Sequence, residues 1–232
     1  MEEKTIGILG GMGPEASVDM FSKIITSNPV TKDQEQLRII VYCNSKIPPR
    51  SQATLSRGED PRPELIRSAE LLEASGAGLI VIACNAAHFF HTDIQKSVSI
   101  PVLHIMREVA GEIQHSAEQF KTVGLLAGTT TVKTGLYDEV LEEIGVRVLS
   151  PDMDEEQERV NSSIYEIKKG NKGVKQILVD IAEKMAAKGA QAIILGCTEV
   201  PLVIRDGDLS VPVIDATQVL ADAAIRMAKA GE

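Results

Sequence analysis

Short apolar runs alternate with longer amphipathic stretches along the whole chain. The runs at 5–9, 39–43, 79–83, 102–103, 123–126, 146–149, 192–195 and 213–214 are rich in Ile, Val and Leu and predict buried parallel strands. Between them, 64–74, 106–119, 135–144 and 174–188 carry apolar residues at helical spacing, each bounded by Gly, Pro or a capping residue. Strand–helix alternation of this kind predicts an α/β architecture with right-handed crossovers.

The pattern occurs twice. Lys4-Thr5-Ile6-Gly7-Ile8-Leu9-Gly10-Gly11 is echoed by Lys121-Thr122-Val123-Gly124-Leu125-Leu126-Ala127-Gly128. The run from Gly76-Ala77 to Cys84-Asn85 is echoed by the run from Gly189-Ala190 to Cys197-Thr198. Ser99-Ile100-Pro101-Val102-Leu103-His104 is echoed by Ser210-Val211-Pro212-Val213-Ile214-Asp215. Lys4 lies 117 positions before Lys121, Cys84 lies 113 before Cys197, and Pro101 lies 111 before Pro212. Near-constant offsets in three ordered segments imply a duplicated unit. We therefore expect two pseudo-symmetric α/β domains, each with a central parallel sheet flanked by helices. One takes residues 1–103 plus 215–232 and the other 104–214, with the active site in the cleft between them.

Composition narrows the picture. Among 232 residues, aromatics make up 3% and Trp is absent, so the core is aliphatic. The formal net charge of −9 excludes a basic nucleic-acid footprint or a polybasic membrane patch. An anionic ligand must then be captured by local donors such as a few Arg or Lys and helix N-termini. The first residues lack a signal-peptide pattern, and no apolar run reaches membrane-spanning length. Cys43, Cys84 and Cys197 form no CxxC pair, so disulfides are not expected and a reducing cytoplasm is.

Two of these cysteines carry the candidate chemistry. Cys84 and Cys197 occupy equivalent places in the repeat, each just after a predicted strand at the edge where parallel sheets bind ligands. A free thiol, with a pKa of about 8.5, is only about 3% ionised at pH 7. A helix N-terminus after each strand would lower that value and offer N–H groups to a carboxylate. A Cys ending an apolar strand is ordinarily structural, and Cys43, which has no repeat partner, is read that way. The turn Gly10-Gly11-Met12-Gly13-Pro14 satisfies a weak dinucleotide pattern, Gly11-x-Gly13-x-x-Ala16, but the acid expected after the next strand is missing. The turn is read instead as backbone brought close to a small ligand. Arg50, in the stiff loop Lys46-Ile47-Pro48-Pro49-Arg50, stands either as a bidentate carboxylate ligand or as a solvated loop residue. His88, one turn past Cys84, is either a hydrogen-bond partner or an interior histidine. His91, His104 and His115 show no ligand spacing, so no metal is expected.

Taken together, Gly-Gly-Met-Gly-Pro (10–14), Lys46-Ile-Pro-Pro-Arg50, Cys84-Asn85-x-x-His88, Ile164-Tyr-Glu-Ile-Lys168 and Gly196-Cys-Thr-Glu199 resemble the aspartate/glutamate racemase superfamily, in its aspartate racemase branch. Glutamate racemases proper usually carry Asp-Ser-Gly in the first turn and His after the second Cys-Thr, where this chain has Gly-Gly-Met-Gly and Glu199. The resemblance implies racemisation of a small-molecule amino acid, aspartate or glutamate, with no pyridoxal or other cofactor. Cys84 and Cys197 would exchange the roles of base and acid at Cα. It further implies that Asn85 and Thr198 bind the amino-carboxylate part, that Arg50 and Lys168 hold carboxylates, that Met12 lines the pocket floor, and that the protein is a homodimer. Family members usually have Thr where this chain has Ala86, which removes one hydroxyl donor from the substrate site. A maleate-type cis–trans isomerase with a covalent Cys adduct and a non-catalytic amino-acid-binding protein stand as alternatives on the same scaffold.

Overall fold

The structure is a computed structural model describing residues 3–54 and 58–230. The chain divides into two compact units, residues 1–105 with 217–232 and residues 106–216.

The first unit starts with β1 (Ile6–Gly10) and α1 (Pro14–Ser27). Pro14 opens α1 where its missing N–H costs nothing, and Glu15 lies in the first turn, where an acid complements the helix dipole. Ala16, Met20 and Ile24, one above the other on a single face, are buried. β2 (Ile39–Cys43), α2 (Arg50–Ala53), α3 (Arg62–Ala74), β3 (Leu79–Ile82) and α4 (His91–Ser97) follow, and α5 (Ile105–His115) leads into the second unit. The sheet runs β2-β1-β3, all parallel, and Val102 extends it by an isolated parallel bridge to Ile80. The expected strand at 102–103 is thus reduced to that bridge.

In the second unit β4 (Thr122–Leu126), α6 (Thr129–Lys133), α7 (Leu136–Glu142), β5 (Arg147–Leu149), α8 (Glu156–Lys168), α9 (Lys175–Ala187), β6 (Ile193–Leu195) and β7 (Val213–Asp215) give a parallel sheet ordered β5-β4-β6-β7. α10 (Ala216–Ala230) closes the chain. No described helix is long and apolar enough to cross a membrane.

The duplication extends to single hydrogen bonds. Gly78 N donates to Thr5 O, and Gln191 N donates to Thr122 O. Ile80 N donates to Pro101 O, and Ile193 N to Pro212 O. Ala83 N donates to Leu9 O, and Gly196 N to Leu126 O, at 3.0 Å each. The helices before β3 and β6 also match. α3 buries Leu65, Ser68, Ala69 and Leu72, and α9 buries Leu178, Ile181, Ala182 and Met185. Both sets follow the i, i+3, i+4, i+7 stripe that lays a helix on a sheet.

The strands differ in burial according to their place. β3 (Leu-Ile-Val-Ile) is fully buried, whereas β2 alternates in exposure and leaves Val41 at the surface. Both read as continuous apolar runs, but β2 is an edge strand.

One turn needs glycine. Gly11 has a φ of +95°, and a Cβ there would lie 2.3–2.6 Å from the backbone of Asn44. Gly76 has the same φ, with nothing within 4 Å of the equivalent Cβ position. Gly11→Ala is therefore expected to destabilise the protein by about 2–4 kcal/mol in urea unfolding, and Gly76→Ala by about 1 kcal/mol from backbone strain alone. Equal losses at the two positions would remove the close-approach argument.

Candidate active site

The two cysteines end equivalent strands. Once Ala83 has made its bond to Leu9, the ladder stops; Cys84 is extended and caps a 3-10 stretch, Asn85–Phe90, which runs into α4. Cys197 follows Gly196 in the same way, and a shorter 3-10 turn, Val200–Leu202, comes after it. The expected α-helix N-terminus behind each thiol is thus a 3-10 turn, shorter and with poorer hydrogen-bond alignment. The residues flanking both cysteines crowd this turn of chain: Asn85 and Thr198 are buried, at 2% and 1% exposure.

Around Cys84 the surroundings are apolar and imidazole-rich. Cys84, Met12 and Ala87 share one buried cluster, against which half-buried Ala86 packs. The glycine turn is tied by Ser17, whose Oγ accepts from Gly11 N at 2.8 Å and donates to Gly13 O at 3.3 Å. Arg50 holds the neighbouring loops. Its Nη1 donates to Ile47 O and Pro48 O at 3.2 and 2.9 Å, and its Nη2 to Met12 O at 3.3 Å. Arg50 thus joins its own loop to the glycine turn, a link that neither sequence reading of this residue contained.

His88 meets both of its sequence readings, as an interior histidine, 2% exposed, that hydrogen-bonds the Cys84 backbone. Its Nδ1 donates to the carbonyl of Cys84 at 2.9 Å, so the neutral ring carries its proton on Nδ1. The rings of His104 and His91 lie 5.3 and 6.1 Å from it, centroid to centroid. Burial first, then His104 and His91, pushes the His88 pKa down to about 3, against the hydrogen bond to Cys84. Among the described residues, no group of three or more His, Cys, Asp or Glu side chains could hold a metal ion.

Around Cys197 the surroundings are carboxylate-rich. Its Sγ donates to Glu199 Oε2 at 3.0 Å, and Thr198 Oγ1 lies 3.4 Å from the same oxygen. Lys168, the last residue of α8, brings its Nζ to 3.4 Å from Glu199 Oε1. Glu199 is 3% exposed. Burial first, then the Glu199 charge, pushes the Cys197 thiol well above its ordinary value, and Lys168 pulls it back. The sequence reading expected the opposite direction, from a helix N-terminus. Tyr137 of α7, fully buried, has its phenol pushed up by burial, by Asp215 and by Cys197.

Glu199 was not among the sequence-derived site residues, where it served only to separate family branches. The available signal was the spacing Cys-Thr-Glu after a strand, which in a tight turn returns the acid to the thiol. Tyr137 had no such signal, because its approach to Cys197 depends on the packing of α7. Cys43 is exposed at the end of β2.

A family model described as Asp/Glu/hydantoin racemase matches residues 9–224, and the chain belongs to this family. Among curated relatives, the broad specificity amino-acid racemase RacX of Bacillus subtilis is 28% identical over 225 residues, which is 95% of this chain and 96% of RacX. The structure of the Picrophilus torridus aspartate racemase superposes with a TM-score of 0.87 at 30% identity, covering 97% of this chain and 94% of that one. An aspartate racemase homologue from Pyrococcus horikoshii gives 0.79 at 34% identity, covering 97% and 99%.

The buried, neutral His88 has a consequence for stability. Its folded pKa lies below the ordinary value of about 6.5, so the unfolded chain binds a proton there that the folded chain refuses. This contribution is complete above pH 6.5 and is lost as the pH falls toward 3. Between pH 7 and pH 5, wild type should lose about 2 kcal/mol more stability than His88→Gln in urea titrations. Identical pH slopes for the two proteins would show that His88 is not the buried neutral group.

Proposed function

We propose that the protein racemises an acidic amino acid, aspartate first and glutamate second, by proton transfer at Cα between the thiols of Cys84 and Cys197. Both substrates belong to the family's named range. The observation that carries the mechanism is the equivalence of the two cysteines. Each follows the residue whose N–H makes the last bond to the central strand of its own sheet. A racemase needs one group for each face of a flattened α-carbon, and a duplicated strand end supplies two copies of one group.

In the reaction, one sulfur begins as thiolate and takes the α-proton, leaving its electron pair on Cα. The other, as thiol, returns a proton to the opposite face. Both transfers use side chains of this chain, so the reading requires no pyridoxal. The intermediate concentrates negative charge, and donors that neutralise the substrate carboxylates lower the barrier. Asn85 and Thr198, beside the thiols, are proposed as ligands for the amino-carboxylate part, and Arg50 and Lys168 as ligands for carboxylates. Met12 would line the floor. Ala86 offers a methyl group where a hydroxyl is usual. Losing such a donor to the α-carboxylate weakens binding by about 0.5–1.5 kcal/mol where water substitutes. The family match and the aspartate racemase structures support the acidic substrate, and the resemblance to RacX supports a wider range. We further propose a cytoplasmic homodimer.

The decisive measurement is the exchange of the Cα hydrogen with deuterium from solvent across a panel of amino acids, followed by chiral analysis. Wild type should exchange and racemise aspartate. Cys84→Ser and Cys197→Ser should each lose at least about a thousandfold in racemisation. Full turnover by either variant would remove the two-thiol mechanism, and no exchange with any enantiomer of aspartate or glutamate would remove the substrate assignment.

A further inference from the structure

The turn after β4 is held differently from the turn after β1. By the internal repeat, Gly128 and Thr129 stand where the first half has Gly11 and Met12. Gly11 is fixed by its positive φ and its close approach to the backbone of Asn44. Gly128 has an ordinary φ of −67°, and a Cβ there would meet nothing closer than 3.8 Å. Backbone sterics alone do not fix the second turn; side chains of α8 do.

Gln157, Asn161, Ile164 and Lys168 follow one face of α8, at spacings of four, three and four. Gln157, 1% exposed, donates from Nε2 to Ala127 O at 2.9 Å and so ties the end of β4 to the helix. Its Oε1 is buried with no hydrogen-bond partner. A buried acceptor left without a donor is costly, and here it accompanies the bond that holds β4. Asn161 Oδ1 accepts from Thr129 N at 3.0 Å, and its Nδ2 donates to Thr129 Oγ1. A backbone N–H can face only an acceptor, which fixes the orientation of the Asn161 amide. With that amide donating to Thr129 Oγ1, the hydroxyl proton points away from Asn161 and toward another acceptor.

We propose that Gln157 and Asn161 are positioning residues that present the Thr129 hydroxyl as a hydrogen-bond donor to a substrate carboxylate. Their catalytic meaning rests on the functional reading above, which sets Met12, the repeat partner of Thr129, at the pocket floor. Thr129 is half-buried just past the carboxyl end of β4, the edge at which parallel sheets receive ligands. Thr129 touches the substrate, Asn161 acts through its hydroxyl, and Gln157 acts through the backbone that carries it. A donor aimed in advance needs no reorganisation when the anion arrives.

Racemisation interconverts enantiomers of equal enthalpy, so calorimetry of L-aspartate with the native chain reads binding alone. Thr129→Val and Asn161→Asp should each weaken binding by at least about tenfold, and Thr129→Ser should stay within about threefold of wild type. Asn161→Asp keeps an acceptor for Thr129 N but draws the hydroxyl proton to itself, and it also adds a negative charge. The double variant separates these effects. Added to Thr129→Val, Asn161→Asp should cost less than about a further twofold, because the hydroxyl it acts through is gone. A second full loss in the double variant, or wild-type affinity in either single variant, overturns the proposal.

The restraint on the turn has a readout that needs no ligand. Amide hydrogen exchange in residues 128–131 should accelerate by at least about tenfold in Asn161→Leu and in Gln157→Met, and stay near wild type in Asn161→Asp. A chain that shows this pattern but binds neither aspartate nor glutamate defeats the functional reading and leaves the positioned turn standing. A chain that racemises aspartate, with exchange unmoved in Asn161→Leu, defeats the proposal alone.

Discussion

The hydrogen bonds from Ala83 N to Leu9 O and from Gly196 N to Leu126 O are where each parallel ladder ends. Up to that bond, β3 and β6 are held in register by their neighbours and buried on both faces. Beyond it the backbone leaves the sheet, and the next residue is a cysteine. A parallel sheet needs helices on both faces, so its carboxyl edge is where the chain turns back and backbone groups lack ladder partners. The location of both thiols thus follows from the apolar strands and from the helices that cover them.

This constraint reaches sideways into packing. A Cβ on Gly196 would lie 2.5 Å from Leu125 Cδ1 and 3.2 Å from Tyr137 Cε2. The first unit has Ala83 at the matching place and accommodates its methyl group. Tyr137 is among the largest fully buried side chains, and its ring occupies the space that a side chain at Gly196 would need. Gly196 and Tyr137 thus depend on each other, and together they set the apolar floor against which the Cys197 turn is folded.

The strand–helix alternation, the parallel sheets and the duplication were legible because they rest on periodicity, which survives in a single sequence. The equivalent placement of Cys84 and Cys197 just past matching strand ends is legible for the same reason. Exposure of β2 was not, since an edge strand and a central strand can both be written as Ile-Ile-Val-Tyr-Cys or Leu-Ile-Val-Ile. The use of Arg50 as a clasp across three carbonyls was equally hidden, because it depends on loop geometry between residues far apart in sequence. The environment of Cys197 was misjudged for a more specific reason. The backbone dipole after the strand is outweighed by burial and by a carboxylate two residues away.

The repeated scaffold also carries chemistry that is not repeated. His104 and Asp215 fill matching positions in the two halves. His104 joins a group of three imidazoles, one of which, His88, holds the carbonyl of Cys84 and stays neutral through burial. Asp215 acts on the buried phenol of Tyr137, which also feels Cys197, and the charge beside Cys197 itself is the carboxylate of Glu199, offset by Lys168. Matching strand ends place the sulfurs alike, but their neighbours treat a proton differently. Near Cys84, a neutral histidine fixes the backbone and adds no charge. Near Cys197, burial and a nearby carboxylate make ionisation of the sulfur expensive. Equal placement gives two groups of the same kind, as a two-face reaction requires. Unequal neighbours allow the resting protein to hold one of them reliably as a thiol.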